Sequence, residues 1–580
     1  MTQSIKSLAA GFLIVATTTT FAGNDTPVRP TQAVQEFSLR DYRGKVHSLS
    51  DFADSPLLVV AFVGCECPLA RLYAPRLAAL SQEYAKRGVA FLAVNSNRQD
   101  SITELAAYAR RHDVQFPVLK DPGNDVADAF GAQRTPEVFV LDADRQIRYS
   151  GRIDDQYGVG TRKPDATRQD LADALDALLA GSAVKVARTE PPGCIIGRVR
   201  ETEPTGEVTY AQHVSRILQT HCTECHRNGE IAPFPLTNYE EVVGWGETIG
   251  EVVEAGRMPP WFASPHYGKF QFEARLSDEE KQLIKAWVED GCPEGEAADL
   301  PEPREFVDGW GLPETPQEVY YISEEPVDVP AEGVVDYKYF VVDPGWKKDV
   351  WLYGSEARAG NRAVVHHILV FIKHPGKLYP PGLPGELASA YAPGMKPTVA
   401  GERMGMFVPA GSKIVFQMHY TPNGTPQQDR SFAGFLFRDA DEIDYAIRSG
   451  MAINLFFRIP AHAENHEVQS LYIFRKDALM LGVNPHMHYR GKSFRYEAFY
   501  PDGNSEILMD CPNYDFNWQL GYQFAEPKPI PAGTRLICTA HFDNTENNLN
   551  NPDPSRDVRF GEQTWDEMMI GWFYAAERRE

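Results

Sequence analysis

The sequence predicts a multi-domain α+β chain: an α/β domain first, an all-α domain second and two β-sandwich domains last. At 580 residues the chain is too long for one hydrophobic core and is sized for about four domains. An unbroken apolar run, LLVVAF from Leu57 to Phe62, gives way to helical periodicity from Leu69 through Tyr84, a strand-to-helix unit. Past the proline-rich stretch from Leu300 to Pro316 the pattern changes to short alternating segments such as KIVFQMHY and SFRYEAFY. These are broken by PDG, PAG and PNG turns, as in stacked antiparallel sheets. Between the two patterns lie the amphipathic helices YAQHVSRILQTH and SDEEKQLIKAWVEDG.

Composition narrows the function classes. Hydrophobic residues at 43% and charged residues at 24% exclude a disordered or collagen-like chain. Fifty-seven basic against eighty acidic side chains give a net charge of −23, a surface that repels phosphate backbones, so nucleic acid is not expected as a partner. Lys6, the apolar run from Leu8 to Val15 and the small residue closing Thr20-Phe21-Ala22 read as a signal peptide over residues 1–22. No later stretch of ~18 uncharged apolar residues follows, so no membrane span is expected. The expected location is periplasmic or secreted, where disulfides and covalent haem are permitted. The domains are expected at 36–182, 190–300, 315–455 and 456–580.

In the first of these, VAFVGCECPLARLYAP (Val60 to Pro75) resembles, without a gap, the active-site segment of thioredoxin-like redoxin proteins. Cys67 falls on the nucleophile, where the positive end of the helix dipole favours a thiolate. The position of the family's second cysteine is Ala70 here, so Cys65 is the only nearby thiol in sequence. Thr135-Pro136 before the apolar strand VFVL resembles the family's cis-proline loop, which places Pro136 opposite the thiol. Thiol reductase or peroxidase chemistry at Cys67 is what the resemblance implies; a domain kept only for docking is the alternative.

The second domain contains HCTECH. Its CxxCH, formed by Cys222, Cys225 and His226, has the spacing at which two thiols add to haem vinyl groups while the next histidine reaches iron. A plain disulfide or a zinc half-site is the alternative for this pair. The segment is similar to small c-type cytochromes, whose distal ligand is a downstream methionine. That points to Met258 in GRMPPW, with His266 as the fallback. The four remaining cysteines are expected as two disulfides, Cys194 with Cys292 around the domain and Cys511 with Cys538 between neighbouring strands.

From about residue 320 the histidines cluster: His366-His367 in VVHHILVF, His419 in QMHY, and His486 and His488 in PHMHYRGK. Alternate residues of a strand share a face, so His486 and His488 can grip one ion. His366 and His367 would diverge on a regular strand and need a bulge to converge. The order HH, lone His, HxH and a late DEM resembles the copper type II, ascorbate-dependent monooxygenases, the dopamine β-hydroxylase and peptidylglycine monooxygenase family. The resemblance implies two jelly-roll-like sandwiches with one copper ion each. His366, His367 and His419 would hold the electron-transfer copper, and His486, His488 and Met568 of WDEMM the oxygen-activating one, with Met569 able to substitute for Met568. Asn484 and Trp572 stand where peptide-amidating members keep an arginine and a tyrosine, which argues against a peptide carboxylate as substrate.

Together these features predict an exported redox enzyme carrying two copper ions and one haem c. It would hydroxylate a C–H bond of a small organic molecule with dioxygen, its electrons coming from an unidentified donor and passing through the haem. The alternative is an electron-transfer or thiol-redox protein whose copper module only binds metal or serves as structure.

Overall fold

A seven-stranded sheet organises the first domain of the computed structural model, which describes residues 33–199, 204–306, 309–331, 333, 335–379, 383–392 and 394–579. The leader expected over residues 1–22 lies outside the described residues. Across the sheet the strands run Val46–Ser48, Ser38–Asp41, Val118–Lys120, Val89–Asn95, Leu57–Phe62, Glu137–Leu141 and Ile147–Gly151. Leu57–Phe62 is parallel to Val89–Asn95 and antiparallel to Glu137–Leu141. It is buried along its whole length between two apolar clusters, which explains its unbroken hydrophobic sequence. The helix Ile102–Arg111 starts at a reciprocal cap. Ser101 Oγ accepts from the Glu104 N–H and the Glu104 carboxylate accepts from the Ser101 N–H, a device worth about 1 kcal/mol.

Helices dominate the next segment: Tyr210–Val214 running into Ser215–His221, then Tyr239–Val243, Gly246–Glu254 and Asp278–Glu289. Trp245 and Trp287 fill their common core, with Phe234 stacked on Trp245 at 3.9 Å between ring centroids. The Trp287 indole N–H donates to the Pro293 carbonyl, so this buried donor is satisfied. Beyond Pro260 the chain leaves the helices and docks on the carboxy-terminal sheets. There Ser264 N–H donates to Asp510 O at 2.7 Å and Gln271 N–H to Gln523 O at 2.8 Å. Among the described residues no helix is long and apolar enough to cross a membrane.

The carboxy-terminal part is built of sheets packed face to face. The sheet Lys338–Val342, Lys413–Tyr420, Val365–Lys373, Glu386–Tyr391 covers one core. The sheet His466–Ile473, Arg535–Phe542, Gly491–Phe499, Ser505–Cys511 covers another. Their opposite faces belong to one continuous nine-stranded sheet. It passes from the first half to the second where Met404–Val408 pairs in parallel with Tyr445–Ile453, which in turn pairs antiparallel with Ile570–Arg578. Two sandwiches divided near residue 455 were expected; a shared hydrogen-bonded ladder joins them.

The structure departs from both expected disulfides. Cys511 and Cys538 lie on strands separated by Gly491–Phe499, Cys511 opposite Phe494 and Cys538 opposite Tyr496. Two strand spacings of about 4.8 Å put them beyond the ~7 Å Cα separation a disulfide spans. Cys194 pairs with a strand of the first domain, whereas Cys292 packs against Gly246 in the helical core. Among the described residues none of the eight cysteines is in a disulfide.

Candidate functional site

Cys67 is the N-cap of the helix Pro68–Ala85, whose first residue is proline, the one residue with no N–H to leave unpaired there. Its side chain is fully buried and its Sγ lies 2.9 Å from the Thr135 carbonyl, immediately before the cis peptide Thr135–Pro136. The thiol also hydrogen-bonds that of Cys194. Burial alone would push the Cys67 pKa up. Hydrogen bonds from Cys194 and from the Ala70 N–H outweigh it, and the net value falls to about 6. Cys194 shows the opposite: its hydrogen bond to Cys67, then burial, hold its pKa well above the ordinary range. Cys65, the neighbour in sequence, is a different case. Its N–H donates to Asp100 Oδ2 at 2.9 Å, and burial followed by the Asp100 charge pushes its thiol up. The thiol facing Cys67 is Cys194, which the sequence pattern assigned elsewhere; no local spacing could have revealed it, because it arrives from a distant strand.

A cavity of about 1040 Å³ opens beside this pair. Its wall includes Cys194, then Cys222, Cys225, His226 and Met258 from the helical segment, and His366 and His419 from the sheets. His226 Nδ1 donates to the Phe234 carbonyl at 3.1 Å, which directs Nε2 away from that bond. The residues suit a haem: two cysteines, an oriented imidazole and a methionine line the same cavity.

Farther along the cavity, His366, His367 and His419 bring ring nitrogens within 4.8 Å of one another. His367 lies opposite His419 in the ladder between Val365–Lys373 and Lys413–Tyr420. The register shifts between Val365 and His367, which lets the adjacent His366 join the same cluster. His367 Nε2 and His419 Nδ1 are buried without a hydrogen-bond partner. Burial lowers the pKa of His366 to about 4 and those of His367 and His419 well below their ordinary value. Neutral imidazoles with unpaired nitrogens form a donor set that suits copper.

His486 and His488 have ring centroids 5.3 Å apart, and His486 Nδ1 donates to Gln519 Oε1 at 2.7 Å. Alternation along Ile570–Arg578 separates the two methionines. Met569 packs into the core between the second pair of sheets, and Met568 lies on the face shared with Ile570 and Trp572. Glu567 Oε2 accepts from both the His488 and Met568 N–H groups, so these backbones adjoin. Its other oxygen accepts from Arg490 N–H at 2.6 Å. Burial, partly offset by these bonds and by the Arg490 charge, raises Glu567 to about 7. Phe516 lies 6.2 Å from His366, 6.1 Å from His419 and 6.0 Å from His488 between ring centroids, so one ring touches both histidine groups. Asn484 and Trp572 are direct cross-strand partners. Phe516 and Gln519 carry no motif by which sequence could have singled them out, whereas Glu567 lies in the DEM of WDEMM and Arg490 in PHMHYRGK, segments whose sequence reading stops at the metal ligands.

Comparison with known proteins bears on the first domain. Residues 30–150 match the model of the AhpC/TSA family. The thiol-disulfide oxidoreductase ResA of Geobacillus thermodenitrificans is 28% identical over 140 residues, 24% of this chain and 77% of that protein. The chloroplastic peroxiredoxin Q of Populus jackii is 28% identical over 122 residues, 20% of this chain and 56% of that protein. A hypothetical protein of Sinorhizobium meliloti with a solved structure shares 34% identity over 30% of this chain and 96% of its own, with a TM-score of 0.28. This chain therefore carries at its amino-terminal end a thioredoxin-like redoxin domain.

Proposed function

We propose that the protein is an exported thiol-redox protein whose working group is the Cys67 thiolate. The observation that carries this is the placement of Cys67: at a helix start, 2.9 Å from the carbonyl before cis-Pro136, with a second thiol in hydrogen-bonding contact. A thiol of lowered pKa is ionised near neutrality and is both an attacking group and a good leaving group. Disulfide reductase turnover with a small disulfide tests it. Cys67→Ser is expected to abolish turnover, and unchanged turnover would overturn the proposal.

The clustering of His366, His367 and His419 favours a second activity in the same chain, copper-dependent hydroxylation of a small organic molecule. The six side chains His366, His367, His419, His486, His488 and Met568 would hold two copper ions. Cys222, Cys225, His226 and Met258 would hold one covalently attached haem. Bound copper supplies electrons to dioxygen and bound haem passes one electron at a time. Hydroxylation consumes one dioxygen, two electrons and two protons and yields the alcohol and water. Around such a site, Gln519 orients the His486 ring, and Glu567 fixes the backbone at His488 and Met568. Asn484 supplies no cation at the position where peptide-amidating members keep an arginine, which argues against a peptide carboxylate as substrate. Elemental analysis with a pyridine haemochrome spectrum should give two copper ions and one haem per chain, and labelled dioxygen should appear in product. Copper binding without oxygen uptake would leave the module as a metal carrier.

A further inference from the structure

The edge of the cis-proline segment beside Cys67 is already paired. Thr135 pairs with Cys194 and Arg134 with Ile195 in antiparallel register. Ile196 N–H donates to Gln133 O at 3.0 Å, and the Arg134 guanidinium donates to the Gly193 carbonyl at 2.7 Å. Gly197 N–H donates to Asn97 Oδ1 at 3.1 Å and its carbonyl accepts from Arg98 N–H at 2.8 Å. Ile196 is buried in the core of the first domain. Gly193 sits at φ +108°, and a Cβ there would lie 2.0 Å from the Thr135 carbonyl, so only glycine allows this approach. An extended polypeptide offering a cysteine to Cys67 would need this same edge.

We propose that Cys194 is the redox partner of Cys67, and that the strap from Gly193 to Gly197 fills the groove a polypeptide would need, so that the couple exchanges with low-mass thiols and disulfides from the cavity side. The inference deepens the thiol reading of Cys67 and rests on it. Cys67 is fully buried and is absent from the cavity wall, whereas Cys194 lines it, so Cys194 is the sulfur a small reagent reaches first. In the oxidised form the two Sγ atoms are joined. A small thiolate attacks Cys194 Sγ and bonds to it, and the electron pair of the broken S–S bond leaves on Cys67 as a thiolate. A second small thiolate attacks the outer sulfur of that mixed disulfide. It forms the small disulfide and releases the Cys194 thiolate, which takes up a proton. Two small thiols are thereby oxidised to one disulfide, and the protein disulfide is reduced to its two sulfhydryl groups. The low pKa of Cys67 suits it to the role of leaving group.

The test uses the full chain, reduced and then treated with glutathione disulfide, digested without reductant and mapped by mass. A Cys67–Cys194 cross-link is expected, and it should persist in Cys65→Ser. In Cys67→Ser, glutathione should remain trapped on Cys194. In Cys194→Ser and Cys194→Ala the cross-link should be lost and Cys67 should stay unmodified. Dithiothreitol should reduce the cross-link, and a protein dithiol such as thioredoxin should not. A cross-link from Cys67 to Cys65 or Cys292, a glutathione adduct on Cys67 in the Cys194 variants, or reduction by thioredoxin would overturn the proposal. Complete inertness of Cys67 in every variant would overturn the thiol reading as well, which separates the two failures.

Discussion

His367 and His419 stand directly opposite one another on neighbouring antiparallel strands, with ring centroids 4.9 Å apart. Cross-strand pairs lie close enough to share one ion without any loop movement. Ligand binding at a hundredfold excess over Kd adds about 2.7 kcal/mol to stability. Copper should therefore raise the thermal midpoint of the metal-free protein, and His419→Ala should remove most of that shift together with one equivalent of copper by elemental analysis.

The pKa values of the thiol pair set a pH dependence with a definite sign. The folded value of Cys67, about 6, lies below the ~8.5 of a free thiol in the unfolded chain. Between these values the unfolded state binds the extra proton, so stability rises with pH through that window and is lost as pH falls towards 6. Cys194, raised in the folded state, stays protonated there, and in the unfolded chain it begins to ionise only towards the top of this range. Urea unfolding at pH 6 and pH 8 should show a smaller gain in stability at the higher pH in Cys67→Ser than in wild type, the remainder coming from the buried histidines, partly offset by Glu567.

Arg134 clamps the strap from two sides, donating to the Gly193 carbonyl and pairing with Glu251 at 2.7 Å. Both side chains of the ion pair are partly exposed, so its loss costs about 1 kcal/mol or less. The larger effect of Arg134→Ala should be local. Alkylation of Cys67 by iodoacetamide under native conditions should speed up relative to wild type, read by peptide mapping.

Glu567 is buried beneath the His486 and His488 backbone and accepts from three backbone N–H groups, those of His488, Arg490 and Met568. Removing the carboxylate leaves these buried donors unpaired, at a cost of about 1–3 kcal/mol. Glu567→Ala should lose that much in denaturant unfolding. Glu567→Gln should lose less, since it keeps an acceptor for the His488 N–H.

Features that live in short sequence windows were readable, and features that need the chain to fold back were not. LLVVAF read as a buried strand because burial on both faces demands continuous apolar side chains. The doublet His366-His367 implied a bulge because a regular strand sends neighbours to opposite faces. Cys194 was misread because its partner depends on which strand edge Gly193 can approach, a matter of tertiary register. The Cys511–Cys538 pairing was misread for the same reason: Gly491–Phe499 precedes both cysteines in sequence yet lies between their strands in space. That Met568 and Met569 face opposite sides became legible only once strand alternation was anchored to a known core.

The parallel pairing of Met404–Val408 with Tyr445–Ile453 governs how the carboxy-terminal half can be handled. A chain stopped after Ile453 would end in a nine-residue strand stripped of its Ile570–Arg578 neighbour, a bare template for sticking to other molecules. The halves are thus obligate companions. The halves that carry the two histidine groups are joined by backbone amides, as in a riveted joint and unlike two lobes on a tether.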